Sequence, residues 1–367
     1  MLLQRNGLQK SNASIGVVAT LFGDSKDVMK MEQNCLIDWG ESSLPDPRLS
    51  ERHAFDDSQL RALSLGLNKK RPVLVIQGPP GTGKTVLLAE LIVRAVRQGE
   101  NVLVTAPSNV AVDNMVERLS STGLNIVRVG NPARISPSVA SKSLAEIVAG
   151  RLSQFRKELE RKRTDLRKDL RDCIEDDSLA AGIRQLLKQL GKDLEKKEKE
   201  TIMEVLSDAQ VVLSTNTGTA DPLIRKTGCF DLVIVDEAGQ GIEPSCWIPI
   251  LQGKRCVLAG DHCQLAPAIL SRKALEGGLG KSMMERASSL HDGLLTTRLT
   301  VQHRMHDSIA SWASKEMYQG LLQSSHSVAS HLLADSPVVK VCMFILFSGL
   351  HDHDYFIWFG TQDELWL

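Results

Sequence analysis

No two cysteines in this sequence stand in a C-x-x-C spacing, and the seven present are scattered and odd in number. That excludes the usual zinc-binding spacings and points to free thiols in a reducing compartment. No apolar run approaches the ~20 residues of a membrane span, so no contact with a membrane is expected. The opening Met1-Leu-Leu-Gln lacks the basic start and apolar core of a secretory signal. Charge of one sign is not in excess either: Lys+Arg and Asp+Glu both number 44. A global basic field that would hold nucleic acid is therefore excluded, and any such surface has to be local. Aromatics are only 4% of the residues. What remains is a 367-residue chain, 42% hydrophobic, with room for about two soluble domains. Cytoplasm and nucleus fit it equally well, and a monomer is expected.

Residues 73–98, VLVIQGPPGTGKTVLLAELIVRAVRQ, carry the strongest signal. Val73–Ile76 is a short β-branched and aliphatic run, as a strand buried on both faces reads. Gly78-Pro79-Pro80-Gly81-Thr82-Gly83-Lys84-Thr85 then fits G-x-x-x-x-G-K-[ST]. Leu87, Leu88, Leu91, Ile92, Ala95 and Val96 recur at helical spacing, and Gly99 ends the helix. A loop that wraps a triphosphate must turn tightly with its N–H groups inward, which favours glycine. The start of a helix adds free N–H groups and a positive dipole end. Lys84 can reach the β- and γ-phosphates, and Thr85 can offer its hydroxyl to Mg²⁺. The strand–loop–helix context is the one this chemistry requires, so ATP and Mg²⁺ are the expected cofactors.

Around this centre the chain alternates. Ile15–Phe22 reads as a strand, and Trp39 followed by Pro45-Asp46-Pro47 as a turn and linker. Ala54–Leu67 reads as a helix begun by Asp56, Asp57 or Ser58. Gln59, in its first turn, is either a solvated helix residue or an amide able to read an adenine edge. Asn101–Thr105, Ile126–Val129, Val211–Ser214, Leu232–Val235 and Cys256–Ala259 read as strands, and Val110–Leu119 as a helix. Such alternation implies right-handed crossovers and a mainly parallel α/β sheet, with ligands at the strands' carboxyl ends. Ser108 and Asn109 fall at one such end, as a helix cap or as a phosphate-backbone contact.

Residues 137–208 break the pattern. Leu152, Phe155, Leu159, Leu166, Leu170 and Cys173 form one helical stripe. Ile183, Leu187, Leu190 and Leu194 form another, with Glu175-Asp176-Asp177-Ser178 as the turn between them. An inserted antiparallel helical hairpin follows from this. Its charged positions are either a solvated face or, at Arg161, Lys162 and Arg163, a nucleic-acid contact.

Asp236-Glu237 follows the apolar Leu232–Val235 directly. A strand that ends in an acidic pair is the second half of a P-loop ATPase site. Asp236 would hold Mg²⁺, which prefers carboxylate and phosphate oxygens, and Glu237 would polarise the attacking water. Gln264, after the next strand, is placed to touch the γ-phosphate or that water.

At this point the motifs form an ordered series. Gln59, GPPGTGKT (78–85), APSNVAVDN (106–114), STNTGTA (214–220), DEAGQ (236–240), GDHCQLAP (260–267) and LTVQHRMH (299–306) resemble those of the superfamily-1B helicases. The resemblance runs from about residue 50 to 330. It implies a RecA-like P-loop motor domain that couples ATP hydrolysis to 5′-to-3′ movement on single-stranded RNA or DNA. By motif match Gln59 would read adenine, and the loop 78–85 with Asp236 and Glu237 would hold phosphate and Mg²⁺. Gln264 would sense the γ-phosphate, and Arg304 would reach it from a second motor domain. Pro107, Ser108, Asn109, Thr215 and Thr217 would line the nucleic-acid path, gripping backbone more than bases. The hairpin matches the family's accessory subdomain.

The resemblance implies motor domain 1 over 51–136 and 209–295, with the hairpin between, and the start of domain 2 over 296–335. Residues 1–50 would be the remnant of an accessory region. The sequence departs from the family in three ways. His303 stands where the family has a tyrosine able to stack on adenine. Few residues precede the motor domain, and the second motor domain is largely missing. The expected activity of this chain alone is therefore weak, or confined to binding ATP and nucleic acid as a regulatory module. Likeness fades near Ser336, and residues 341–367 hold seven of the fifteen aromatics. His351-Asp-His353 within that tail has metal-like residues at a spacing more consistent with chance.

Overall fold

The computed structural model describes residues 14–23, 55–172 and 177–332. The expectations for the linker around Trp39, for Glu175 and Asp176 in the hairpin turn, and for the aromatic tail lie outside these residues. The chain divides into two compact units: one ends at Leu299, and the other runs from Thr300 and also takes in Pro80–Thr82.

The first unit begins with α1 (Ile15–Phe22), where the sequence suggested a strand. An eight-residue apolar run carries no period of its own, and its buried positions, Val17, Thr20 and Leu21, fall at helical spacing. Next come α2 (Asp57–Leu67), β1 (Val73–Gln77), α3 (Lys84–Arg97), β2 (Val102–Ala106), α4 (Asn109–Ser120) and β3 (Ile126–Arg128). The inserted hairpin is α5 (Leu144–Asp172) and α6 (Asp177–Asp208). Then follow β4 (Val211–Thr215), α7 (Pro222–Lys226), β5 (Phe230–Val235), α8 (Glu243–Ile250), β6 (Gly253–Gly260), α9 (Arg272–Glu276), α10 (Met283–Ser289) and β7 (Thr296–Arg298).

All seven strands pair in parallel, in the order β3-β4-β2-β5-β6-β1-β7. The two-residue period of a strand splits their side chains between two cores. Val73, Val75, Leu103, Val212, Val233, Val235 and Leu258 face one, with α1, α8 and α10 packed on it. Leu74, Ile76, Val104, Leu213, Ile234 and Val257 face the other, under α2, α3 and α4. Burial on both faces is why these strands read as continuous apolar runs in the sequence.

The hairpin is rooted in the first core through Val148 and Leu152 of α5 and Val205 and Leu206 of α6. Further out, Leu159 and Ile183 are buried on the stripes the sequence shows. Arg151–Asp208 and Arg156–Glu198 bridge the two helices at 3.3 and 2.6 Å. Both pairs are exposed enough that each contributes little.

In the second unit, β8 (Val301–Gln302) pairs in parallel with β9 (Gln323–Ser324), and α11 (Asp307–Met317) lies between them in sequence. The buried Gln302 organises the turn that follows it. Its Oε1 accepts the backbone N–H groups of Arg304 (2.8 Å) and Met305 (2.7 Å), and its Nε2 donates to Met305 O (2.7 Å).

Candidate nucleotide and nucleic-acid site

The strand order brings together what the sequence separates. β5, β6 and β1 are neighbours, so the loops at their carboxyl ends, 236–240, 261–264 and 78–85, open along one edge. β4 and β2 lie next in line, and carry the loops with Thr215, Thr217, Pro107, Ser108 and Asn109. A nucleotide-type edge thus abuts a second, polar edge at the β2–β5 pair.

β1 gives way to the Gly-rich loop, whose first amide, Gly78 N–H, donates to Gly260 O at 2.8 Å. Gly81 and Gly83 adopt φ of +79° and +73°, which only glycine enters without strain. Gly83 is the N-cap of α3, and no side chain caps that helix. α2 and α4, by contrast, are capped by Asp56 and Ser108. The first N–H groups of α3 are thus left to an anion.

Two strands away, Asp236 and Glu237 follow β5 directly. Strands ~5 Å apart put the two loops about 10 Å from each other at the backbone, and side chains close the gap. Lys84 Nζ lies 3.0 Å from Asp236 Oδ1 and also hydrogen-bonds Glu237 Oε1. Burial pushes the Lys84 ammonium down, but the charges of Asp236 and Glu237 outweigh it and hold the group above its ordinary value. Asp236 is buried, and its Oδ1 also accepts the Glu237 N–H at 2.8 Å. Glu237 itself sits in the left-handed region, with φ +51°, a strained conformation for a residue with a Cβ. Gln240 Nε2 donates to Glu237 Oε2 at 3.1 Å, so both carboxylate oxygens are held. Gln240 is a residue that the sequence reading did not single out.

Gln264 Nε2 donates to the buried Asp261 at 2.7 Å. Asp261 is fixed in turn by the Cys263 N–H at 3.1 Å and by Gln77 Nε2, at the end of β1, at 3.4 Å. The loops after β5 and β6 touch through Gly239, where a Cβ would come within 2.8 Å of Asp261 O. Gln59 is not a solvated helix residue, because it is only 6% exposed. Its Oε1 accepts the Asp56 N–H at 3.1 Å while Asp56 accepts the Gln59 N–H at 3.0 Å, a reciprocal capping box. A Cβ on Gly83 would lie 2.8 Å from Gln59 Nε2, which puts the Gln59 amide beside the Gly-rich loop. Thr85 is half-buried in the first turn of α3. His303 and Arg304 belong to the second unit, where both are exposed.

These residues fit a magnesium-bound nucleoside triphosphate. The arrangement offers an uncapped helix start, a lysine, a threonine hydroxyl and a buried carboxylate, which are donors for phosphate and for a hard cation.

Along the neighbouring edge, Ser108 is exposed and its Oγ accepts the Ala111 N–H at 3.2 Å, so it is a helix cap. Thr215 Oγ1 accepts the Gly218 N–H at 3.1 Å, and Thr217 is exposed. Pro107 and Asn216 meet at Gly241, where a Cβ would lie 3.3 Å from each. Asn109 Oδ1 accepts a bond from the buried Arg128 at 2.8 Å.

Two family models, both described as "AAA domain", match residues 54–272 and 279–360. The second match extends past Ser336. "DNA-binding protein SMUBP-2" of Rattus norvegicus is 44% identical over 294 residues, which is 78% of this chain and 29% of the rat protein. "ATP-dependent helicase NAM7" of Saccharomyces cerevisiae is 35% identical over 286 residues, 77% of this chain and 27% of the yeast protein. "Regulator of nonsense transcripts 1 homolog" of Arabidopsis thaliana is 37% identical over 286 residues, 77% of this chain and 21% of the plant protein. The chain thus spans less than a third of the length of each of these relatives.

Proposed function

This chain belongs to the AAA-domain family of superfamily-1 helicases, and from that premise we propose that it binds Mg²⁺–ATP and couples its hydrolysis to single-stranded RNA or DNA. The observation that carries the reading is the meeting of Lys84 with Asp236 and Glu237 at the carboxyl edge of a parallel sheet. Bound there, Mg²⁺–ATP supplies the phosphoryl group that water attacks.

The residues divide the work by their chemistry. Lys84 and the free N–H groups of the loop and α3 bind phosphate charge. Thr85 and Asp236 are the oxygen donors for the cation. Glu237, steadied by Gln240, accepts the proton of the attacking water. Gln264, steadied by Asp261, donates to the phosphoryl group or to that water. Gln59 reads the adenine edge with its amide. By motif match Arg304 would supply a cation to the charge that develops on phosphate, a role worth ~10³–10⁵ in turnover where an arginine performs it. His303 would stack on the base.

Nucleic acid would lie along the adjacent edge, on Pro107, Ser108, Asn109, Thr215 and Thr217. The side chains of Ser108, Asn109, Thr215 and Thr217 are polar and uncharged, and such groups bind sugar and phosphate without reading sequence. Arg161, Lys162 and Arg163 on the hairpin would add the salt-dependent part.

Phosphate release by the purified chain, with and without a single-stranded oligonucleotide, tests the proposal. Mg²⁺-dependent turnover that rises with oligonucleotide supports coupling. ATP binding with turnover indifferent to oligonucleotide would reduce the chain to a non-motor binding module. A 5′-tailed duplex in the same assay reads unwinding.

A further inference from the structure

β3 ends in an arginine that no motif predicts. The Arg128 side chain is fully buried, and three of its N–H donors are used. Nε donates to Asp113 Oδ1 at 2.9 Å, Nη1 to Val129 O at 2.6 Å, and Nη2 to Asn109 Oδ1 at 2.8 Å. The other oxygen of Asp113 accepts the Ser136 N–H at 2.9 Å, on the segment that leads into the hairpin. Gly130 makes room for the guanidinium, because a Cβ there would lie 2.8 Å from Nη1. Burying a cation is costly unless it is paired and hydrogen-bonded, as this one is.

The bond to Asn109 has a chemical consequence. A guanidinium can only donate, so the Asn109 amide must turn its oxygen inward and cannot flip. Its NH₂ group is what remains to offer, and Asn109 itself is half-buried at the edge assigned above to nucleic acid. Two N–H donors held in one orientation suit a phosphate or sugar oxygen.

We propose that Arg128 is a positioning residue for nucleic-acid binding: it locks the Asn109 amide with its donors outward and, through Asp113 and Ser136, ties that grip to the base of the hairpin. The proposal rests on the nucleic-acid reading of Asn109. Arg128 touches no nucleic acid itself.

The test uses the full chain, a fluorescein-labelled single-stranded oligonucleotide read by anisotropy, and a fluorescent ADP analogue as an internal control. Lysine cannot bond Asp113 and Asn109 in the same fork geometry. R128K is expected to weaken oligonucleotide binding about tenfold, the loss of one directed hydrogen bond, and to leave ADP-analogue affinity within about twofold. Because no phosphate-contacting charge is removed, the slope of log Kd against log salt stays unchanged. A direct phosphate contact would lower it by about one. N109A should weaken binding to a similar degree, and N109A/R128K no further, since the two act as one unit. D113N, which loosens Arg128 without touching Asn109, should lose affinity in the same direction, and it decides the matter if R128K does not fold. The proposal is overturned if folded R128K, or failing it D113N, binds oligonucleotide within twofold of the parent. A lowered salt slope, or losses that multiply in the double variant, would overturn it as well. If N109A alone binds as the parent does, the nucleic-acid reading of Asn109 has failed, and the lock with it.

Discussion

Lys84 Nζ stands 3.0 Å from Asp236 Oδ1, and the same ammonium bonds Glu237, a residue 153 positions later in the chain. The parallel sheet explains how such distant residues meet. β1 and β5 both deliver their following loops to one edge, with only β6 between them. The arrangement also has an electrostatic logic. Two neighbouring carboxylates need a counter-charge, and Lys84 supplies it.

The hold on Glu237 makes the first prediction. E237Q keeps the shape and removes the base, so turnover should fall by roughly 10²–10⁴ while nucleotide affinity holds. Q240A leaves the base but frees its second oxygen. It should slow turnover by about tenfold, in keeping with the loss of one orienting bond. Single-turnover hydrolysis beside nucleotide titration separates the two effects. A Q240A chain that turns over like the parent would remove Gln240 from the site.

Glycine 239 makes the second. Its missing Cβ would meet backbone, Asp261 O at 2.8 Å and Asp261 C at 3.0 Å, and backbone cannot step aside cheaply. G239A should cost ~1–3 kcal/mol of stability and push the loop that carries Gln264, so turnover falls further than nucleotide affinity. Gly150 on α5 has nothing within 4 Å of its would-be Cβ. G150A should therefore stabilise by about 0.5–1 kcal/mol, which a chemical melt of both variants would show.

The buried thiols make the third. Burial pushes Cys246 and Cys256 up to about 12 from an ordinary 9.0. A thiol kept neutral by folding contributes stability that is complete below the unfolded value of 9.0 and lost as pH climbs toward 12. Lys84 is raised too, so its contribution is lost in the same direction at alkaline pH. Urea midpoints should thus fall above pH 9, and less steeply in C246A/C256A. At pH 8 the native chain should not alkylate at Cys246 or Cys256, read by mass spectrometry. Labelling of either at the rate of an unfolded control would contradict their burial.

Much of this was legible in the residues. The Gly-rich loop announced itself because its chemistry demands glycines, a lysine and a threonine in fixed order between a strand and a helix. Asp236-Glu237 read clearly once a P-loop stood upstream. The strands were visible because burial on both faces leaves unbroken apolar runs. α1 was misread for the same reason, since Ile15–Phe22 is as apolar as a strand and too short to declare its period. Gln59 stayed open between a wet helix residue and an adenine reader, because its burial and its capping box show only when Asp56 is paired with it in the fold. Arg128 gave no signal at all. Arginine is almost never fully buried unless paired, and its partners Asp113, Asn109 and Val129 assemble only in the fold.

The central claim is that Lys84, Thr85 and Asp236 form one nucleotide–metal site, and calorimetric titration of ATP with and without Mg²⁺ tests it most directly. The parent chain should bind ATP more tightly when Mg²⁺ is present. K84A should lose affinity by ~100-fold or more, as truncation of a charge partner in a half-buried site does. D236N should bind ATP with little dependence on Mg²⁺. Parent-like, Mg²⁺-dependent ATP binding by both K84A and D236N would show that the nucleotide lies elsewhere.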